Sequence, residues 1–355
     1  RRQRQMCIRD RRNVRGSSIM RKARLIYNPV SGKEIMRTNL ADILDAIEKA
    51  GYEASAFATT PEPDSAKNEA TRAAKAGFEL VVAAGGDGTI NEVVNGIAGL
   101  KKRPKMAIIP AGTTNDYARA LKIPRSNVKA AAEVIQKQQT VKMDIGKAAD
   151  TYFINIAAGG SLTELTYEVP SELKSIFGYL AYLAKGAEML PRIKPTKMRL
   201  VYEGGEYEGN ASMFFLGLTN SIGGFETIAP DAKLDDGKFS LIVVKTANLF
   251  EIVRLITLVL NGGKHVNDSK VLYVKTSFLD ASLIDTDKKM MINLDGEYGG
   301  DAPMRFENLH QHIEFYANTD EIDDAAILGP DNEKREAGIE LVKEYEKIQD
   351  EDTEE

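Results

Sequence analysis

Apolar and polar positions divide the chain into two halves with different rhythms. In the first half, short apolar runs alternate with stretches of helical period. Residues 23–28, 53–59, 79–84 and 105–109 read as strands, and the unbroken run from Leu80 to Ala84 is of the buried kind. Leu40, Ile43, Leu44 and Ile47 recur at helical spacing up to Gly51, a residue that suits a helix stop. Residues 64–75 and 89–97 also read as helices, and a helix-like stretch follows Asp116. Strand alternating with helix as far as about Gln136 predicts a doubly wound parallel sheet, whose ligands bind beyond the carboxyl ends of its strands.

The rhythm changes after Val141. Short runs broken by turn signals predict strands at residues 152–158, 198–202, 207–219, 238–244, 271–276, 290–294 and 311–316, with a hairpin turn at 203–206. Two helices, 171–190 and 249–260, interrupt them. The helix at 171–190 reads as core packing or as an apolar face with basic flanks that meets lipid. The expected class is α/β: an N-terminal doubly wound nucleotide-binding domain, then a β-rich, mostly antiparallel, sandwich-like domain. The expected boundaries are 20–143 and 144–315, with 316–335 returning to the first domain and an acidic tail at 336–355.

Composition narrows this picture without redirecting it. At 355 residues, 43% hydrophobic and 28% charged, with mean hydropathy −0.29, the chain reads as a soluble globular protein of two domains. No stretch nears the ~18 uninterrupted apolar residues of a membrane span. The formal net charge is −5, yet arginine crowds residues 1–24 and acid crowds the chain from Asp320 onward. A basic arm can serve nucleic acid or anionic lipid. Here the stretch before Met20 has no apolar period, so residues 1–19 are expected to be a non-native extension and no nucleic-acid partner is expected. The one cysteine, Cys7, lies in that stretch, which leaves out thiolate catalysis and fits a cytoplasmic location. Zinc-site, nucleophile-elbow and Walker spacings are all missing, and the dinucleotide fingerprint fails at Asn91.

Three loops leave the predicted strand ends. Gly85, Gly86, Asp87, Gly88 and Thr89 follow the buried strand and open a helix at Ile90 and Asn91. Bare backbone N–H groups and a helix N-terminus suit a phosphate, and Asp87 stands where a carboxylate could hold Mg²⁺; a tight turn is the alternative. Asn28, Pro29, Val30, Ser31, Gly32 and Lys33 form a turn that could meet phosphate or simply join strand to helix. The third loop is small and polar, running from Pro110 to Asp116. In the second half, the 230–238 turn carries Asp231, Asp235 and Asp236, which could suit Mg²⁺ or make a solvated turn. Asp295-Gly296-Glu297 ends a strand; Glu297 could accept a proton from a substrate hydroxyl, or the motif is an ordinary hairpin.

Gly85 to Thr89, with Asn28 to Gly32 upstream, resembles the lipid kinase superfamily that includes sphingosine and ceramide kinases. With Gly112-Thr113-Thr114-Asn115-Asp116, the 230–237 motif and Asp295-Gly296-Glu297, the set is most similar to soluble bacterial diacylglycerol kinases, from Met20 to about Asn318. The resemblance implies ATP contacts from the 28–32 loop, Thr59, residues 85–91 and Thr113. It also implies Asp87 and Asp116 in the magnesium and phosphate network, and Glu297 as general base on a diacylglycerol hydroxyl. A structural Mg²⁺ would be held by the Asp236 carboxylate and the Lys233 and Lys238 carbonyls. Lys33 and Lys185 would supply charge near phosphates or a membrane, which the protein would meet peripherally on the inner face as a homodimer. Val30 stands where threonine is common, and Lys238 where an apolar or aromatic residue is. Alternatives are another acceptor (ceramide, undecaprenol or NAD) or a non-catalytic lipid-binding protein. The two second-half motifs argue against NAD, and the complete set of carboxylates argues against loss of catalysis.

Overall fold

The computed structural model describes residues 21–32, 35–112, 115–160, 195–220, 228–247, 262–285 and 289–322, with positions 251, 254–255, 258–259, 287 and 326–327. The expectations for residues 1–20, Lys33, Thr113, the 171–190 helix with Lys185, and the acidic tail lie outside these residues.

In chain order the first half runs β1 (Arg21–Tyr27), α1 (Ile35–Thr38), α2 (Leu40–Lys49), β2 (Tyr52–Ala58), α3 (Ser65–Lys75), β3 (Leu80–Gly85), α4 (Asp87–Ile97), β4 (Lys105–Pro110), α5 (Asp116–Ala120) and α6 (Val128–Glu133). The strands pair in parallel in the order β2-β1-β3-β4. β3 is buried at every position, as an unbroken apolar run requires when helices cover both faces. α2 turns Ile43, Ala46 and Ile47 inward, the stripe its periodicity predicts. α4 begins at Asp87 rather than at Thr89, because Gly86, in extended conformation, takes the N-cap.

The second half holds β5 (Thr140–Ala148), β6 (Thr151–Phe153), β7 (Ile156–Gly160), β8 (Thr196–Tyr202), β9 (Gly205–Gly217), β10 (Phe239–Lys245), β11 (Val271–Thr276), β12 (Phe278–Leu283), β13 (Met291–Leu294), β14 (Glu297–Asp301) and β15 (Met304–Tyr316). All their mutual pairings are antiparallel, with β9 joined to β7, β8 and β10. The β8–β9 hairpin turns at Glu203 and Gly204, the latter at φ +82°, as the glycine pair suggests. Glu251, Arg254, Leu255, Leu258 and Val259 are helical, in keeping with the helix expected at 249–260. No helix among the described residues is long and apolar enough to cross a membrane.

One strand joins the halves. β15 pairs antiparallel with β12 and β5, then meets β4 in parallel through Phe315 and Met106. Its Phe306 packs in the second core with Phe153, Phe214 and Phe239, while Phe315 and Tyr316 pack in the first. At its end the Tyr316 hydroxyl shares a 2.8 Å hydrogen bond with that of Tyr52 on β2. The sequence pattern predicts only residues 311–316 of this strand and none of β5. The two strands meet across a bulge: His310, Gln311 and His312 together face the single residue Asp144, and Gln311 sits at φ +46°.

Candidate active site

Because β1, β3 and β4 are parallel, the loops that follow them emerge on one side, and they touch there. Asn28 donates its N–H to Ala84 O (2.9 Å), and its side-chain oxygen accepts from Val30 N (3.1 Å), closing the 28–32 turn. Gly32 is at φ +58°, and a Cβ there would lie 3.0 Å from Ala111 O. A Cβ on Gly112 would lie 2.7 Å from Gly86 Cα, so the second and third loops meet backbone to backbone. Gly88 has open space where a Cβ would point. These glycines therefore bring the loops together and leave bare backbone at the start of α4, a surface that fits an anion. Thr59 joins the same edge through its N–H to Tyr27 O (2.9 Å).

Ile90 does not share that surface. Its side chain is fully buried in the first core, and its N–H donates to Gly86 O. Asn91 also faces elsewhere: its amide donates to Asp295 Oδ2 (2.8 Å) and to Tyr152 O (3.4 Å).

The carboxylates are tied together by asparagines. Asp87, in the first turn of α4, accepts from the N–H of Asn115 (3.0 Å). Asn115 sits at φ +47° and exchanges hydrogen bonds with both backbone groups of Gly112. Buried Asp116 accepts from Asn155 Nδ2 at 3.5 Å, and Asn155 Oδ1 accepts from Thr219 Oγ1 at 2.6 Å. Asp295 receives the N–H groups of Ile154, Asn155 and Ile156 at 2.7, 2.9 and 2.9 Å, besides Asn91. Burial raises its pKa, while these four donors act in the opposite direction. The turn that bears Asp295 also carries exposed Glu297 at the head of β14. Asn91 thus fastens that turn to the helix that begins at Asp87.

A second acidic group lies under the bulge of β15. Asp236 accepts from Lys238 N (2.9 Å), and its Oδ2 is 3.8 Å from Lys275 Nζ. Asp144, only 1% exposed, accepts from Gly237 N (2.5 Å) and Gln311 N (2.7 Å). Burial pushes Asp144 up to about 6 and raises Asp236 as well. The sequence singles out neither Asp144 nor Asn155. Asp144 shares the parity of exposed Lys142 on β5, so its pattern reads as solvent-facing. What covers it lies 93 and 167 residues further along the chain.

Comparison with known proteins follows these two halves. Residues 22–148 match the diacylglycerol kinase catalytic domain, and residues 165–317 match the YegS C-terminal NAD kinase beta sandwich-like domain. The class is therefore that of a kinase, whose catalytic domain implies a nucleotide substrate. The chain is 50% identical over 294 residues to a diacylglycerol kinase of Bacillus subtilis (strain 168), covering 83% of this chain and 95% of the relative. It is 52% identical over 296 residues to one of Staphylococcus haemolyticus (strain JCSC1435), with 83% and 88% covered. The fold is similar to a crystal structure of a diacylglycerol kinase from Bacillus anthracis str. Sterne, with TM-score 0.65 at 26% identity, covering 84% of this chain and 97% of that one. A further structure from that strain gives a TM-score of 0.73 at 27% identity, with 84% and 95% covered. This chain belongs to the diacylglycerol kinase family.

Proposed function

We propose that the chain transfers the γ-phosphoryl group of ATP to the primary hydroxyl of 1,2-diacylglycerol, giving phosphatidic acid, in a Mg²⁺-dependent reaction. The observation that carries this reading is the Asn91–Asp295 link. It ties the turn of Glu297 to the helix whose N-terminus the glycine loops surround. Backbone N–H groups at the start of α4, with its dipole, would bind and orient the phosphates. Glu297 would take the hydroxyl proton as the acceptor oxygen bonds to phosphorus and the bond to the ADP oxygen breaks.

The residues present fit magnesium. Asp236 and Asp144 are two carboxyls held close under the bulge, and burial raises the pKa of each, the cost of desolvation that a bound cation would relieve. Oxygen ligands from Asp236 and from the Lys233 and Lys238 carbonyls suit a hard cation. Among the described residues no group of three or more His, Cys, Asp or Glu side chains is set for a metal, so carbonyls would have to complete such a site. Asp87 and Asp116 would serve the ion that accompanies the nucleotide. When bound, Mg²⁺ would neutralise charge developing on the phosphates.

A lipid acceptor also requires access to a bilayer. Exposed Val30 and Tyr298, on the first loop and beside Glu297, offer apolar surface for peripheral contact with the inner face. The homodimer implied by the family resemblance belongs to the same proposal. Labelled ATP and Mg²⁺ offered separately with diacylglycerol, ceramide, undecaprenol and NAD test the acceptor. Label is expected in phosphatidic acid; label in another product with none in phosphatidic acid would overturn the assignment.

A further inference from the structure

The bulge of β15 opens a cavity of about 240 Å³ lined by Arg103, Pro104, Lys105, Lys142, Gln311, His312 and Glu314. It lies at the first end of β4, whereas the nucleotide-facing loops leave the other end, roughly 17 Å away along the strand. Three cations face one carboxylate. Glu314 is already engaged by Lys105 Nζ (2.8 Å) and the Thr140 hydroxyl (2.7 Å). Lys142 stands directly across the ladder from Glu314; burial raises the Glu314 pKa, and the Lys105 hydrogen bond with the charges of Lys105 and Lys142 helps to bring it below its ordinary value. Arg103 is fixed in place. Its Nε donates to His312 O (2.7 Å) and its Nη1 to Leu100 O (2.8 Å), which leaves Nη2 without a protein partner among the described residues.

The walls are equally well held. Asp144 anchors the bulge through Gln311 N, and the His312 ring bonds Ala98 O (2.8 Å) and stacks on Tyr152 with centroids 6.5 Å apart. A guanidinium tethered by backbone carbonyls, flanked by two ammonium groups, is pre-organised for a compact dianion. We propose that this cavity binds the phosphoryl group of a phosphate monoester, at a site separate from the nucleotide loops. The shared chemistry has two sources, a small phosphate-bearing metabolite or a lipid phosphate headgroup. Neither depends on which acceptor the kinase uses.

The test uses the full chain with its nucleotide loops saturated by a non-hydrolysable ATP analogue. Glycerol 3-phosphate and inorganic phosphate are titrated by calorimetry, and phosphatidylcholine vesicles with and without phosphatidic acid are used in flotation. At least one arm should show saturable binding, weakened about tenfold or more by Lys142→Gln or Arg103→Gln. Lys142 is exposed, so its variant should keep the wild-type melting temperature and nucleotide affinity. Binding in the soluble arms alone assigns a small metabolite, and binding only to phosphatidic acid vesicles assigns the headgroup. No binding in any arm, or binding that neither substitution changes, would overturn the site.

Discussion

Asp295 illustrates how much of this site rests on single side chains facing several donors. A non-glycine residue at φ +50° is held there by four hydrogen bonds to its carboxylate, three of them from consecutive backbone N–H groups. Glu69 does comparable work away from the site. Its buried carboxylate accepts from Arg24 Nε (2.5 Å) and from two nitrogens of Arg72 (2.7 and 2.6 Å), fastening α3 to β1. Burial raises its pKa, but the arginine hydrogen bonds outweigh burial and the net shift is downward. A depressed carboxyl gives stability that is full above its unfolded pKa and is lost as pH falls through the folded one. Glu69→Gln should therefore cost about 1–3 kcal/mol at neutral pH and progressively less below pH ~4.5. Denaturant midpoints of both proteins across that range check this; a constant difference down to acid pH would contradict it.

At the scale of elements, α4 does two jobs. Its first turn leaves bare backbone beside the glycine loops, and its next two turns reach the other half through Asn91 and Asn95. Asn95 exchanges hydrogen bonds with Tyr152 (2.9 Å each way) and donates from its amide to Asn91 O and Oδ1 (3.0 Å each), whereas Asn91 holds Asp295 directly. Asn91→Ala should lower kcat by about tenfold or more while leaving the KM for ATP within a few-fold. Asn95→Ala, which removes only a support of the Asn91 amide and the Tyr152 bonds, should lower stability and reduce kcat less than Asn91→Ala does. Steady-state kinetics separate the two, and a raised KM with unchanged kcat for Asn91→Ala would make that residue a nucleotide contact instead. The sequence made the glycine loops and α4 legible because strand, glycine turn and helix are contiguous. Residues 40–47 were legible through period alone. β5 was not, although Val141, Met143 and Ile145 alternate with Lys142, Asp144 and Gly146, because its partner β15 begins more than a hundred residues later. The site residues followed the same division: Asp87 and Glu297 stand in recognisable local motifs, but Asn155 and Asp144 acquire their roles only from distant backbone.

At the scale of the whole molecule, the two halves share one sheet, running β14-β13-β7-β9-β8-β12-β15-β4-β3-β1-β2. β15 contributes large side chains to both cores, so the turn of Glu297 and the glycine loops are parts of one hydrogen-bonded frame. The proposed base at the head of β14 and the proposed phosphate site at the head of α4 share that frame. The most direct test is Glu297→Gln, which keeps the side chain's size and removes its basicity. ATP affinity should stay within a few-fold of wild type while turnover of diacylglycerol falls by at least about a hundredfold. Turnover close to that of the wild type would contradict the role assigned to Glu297 and with it the central claim.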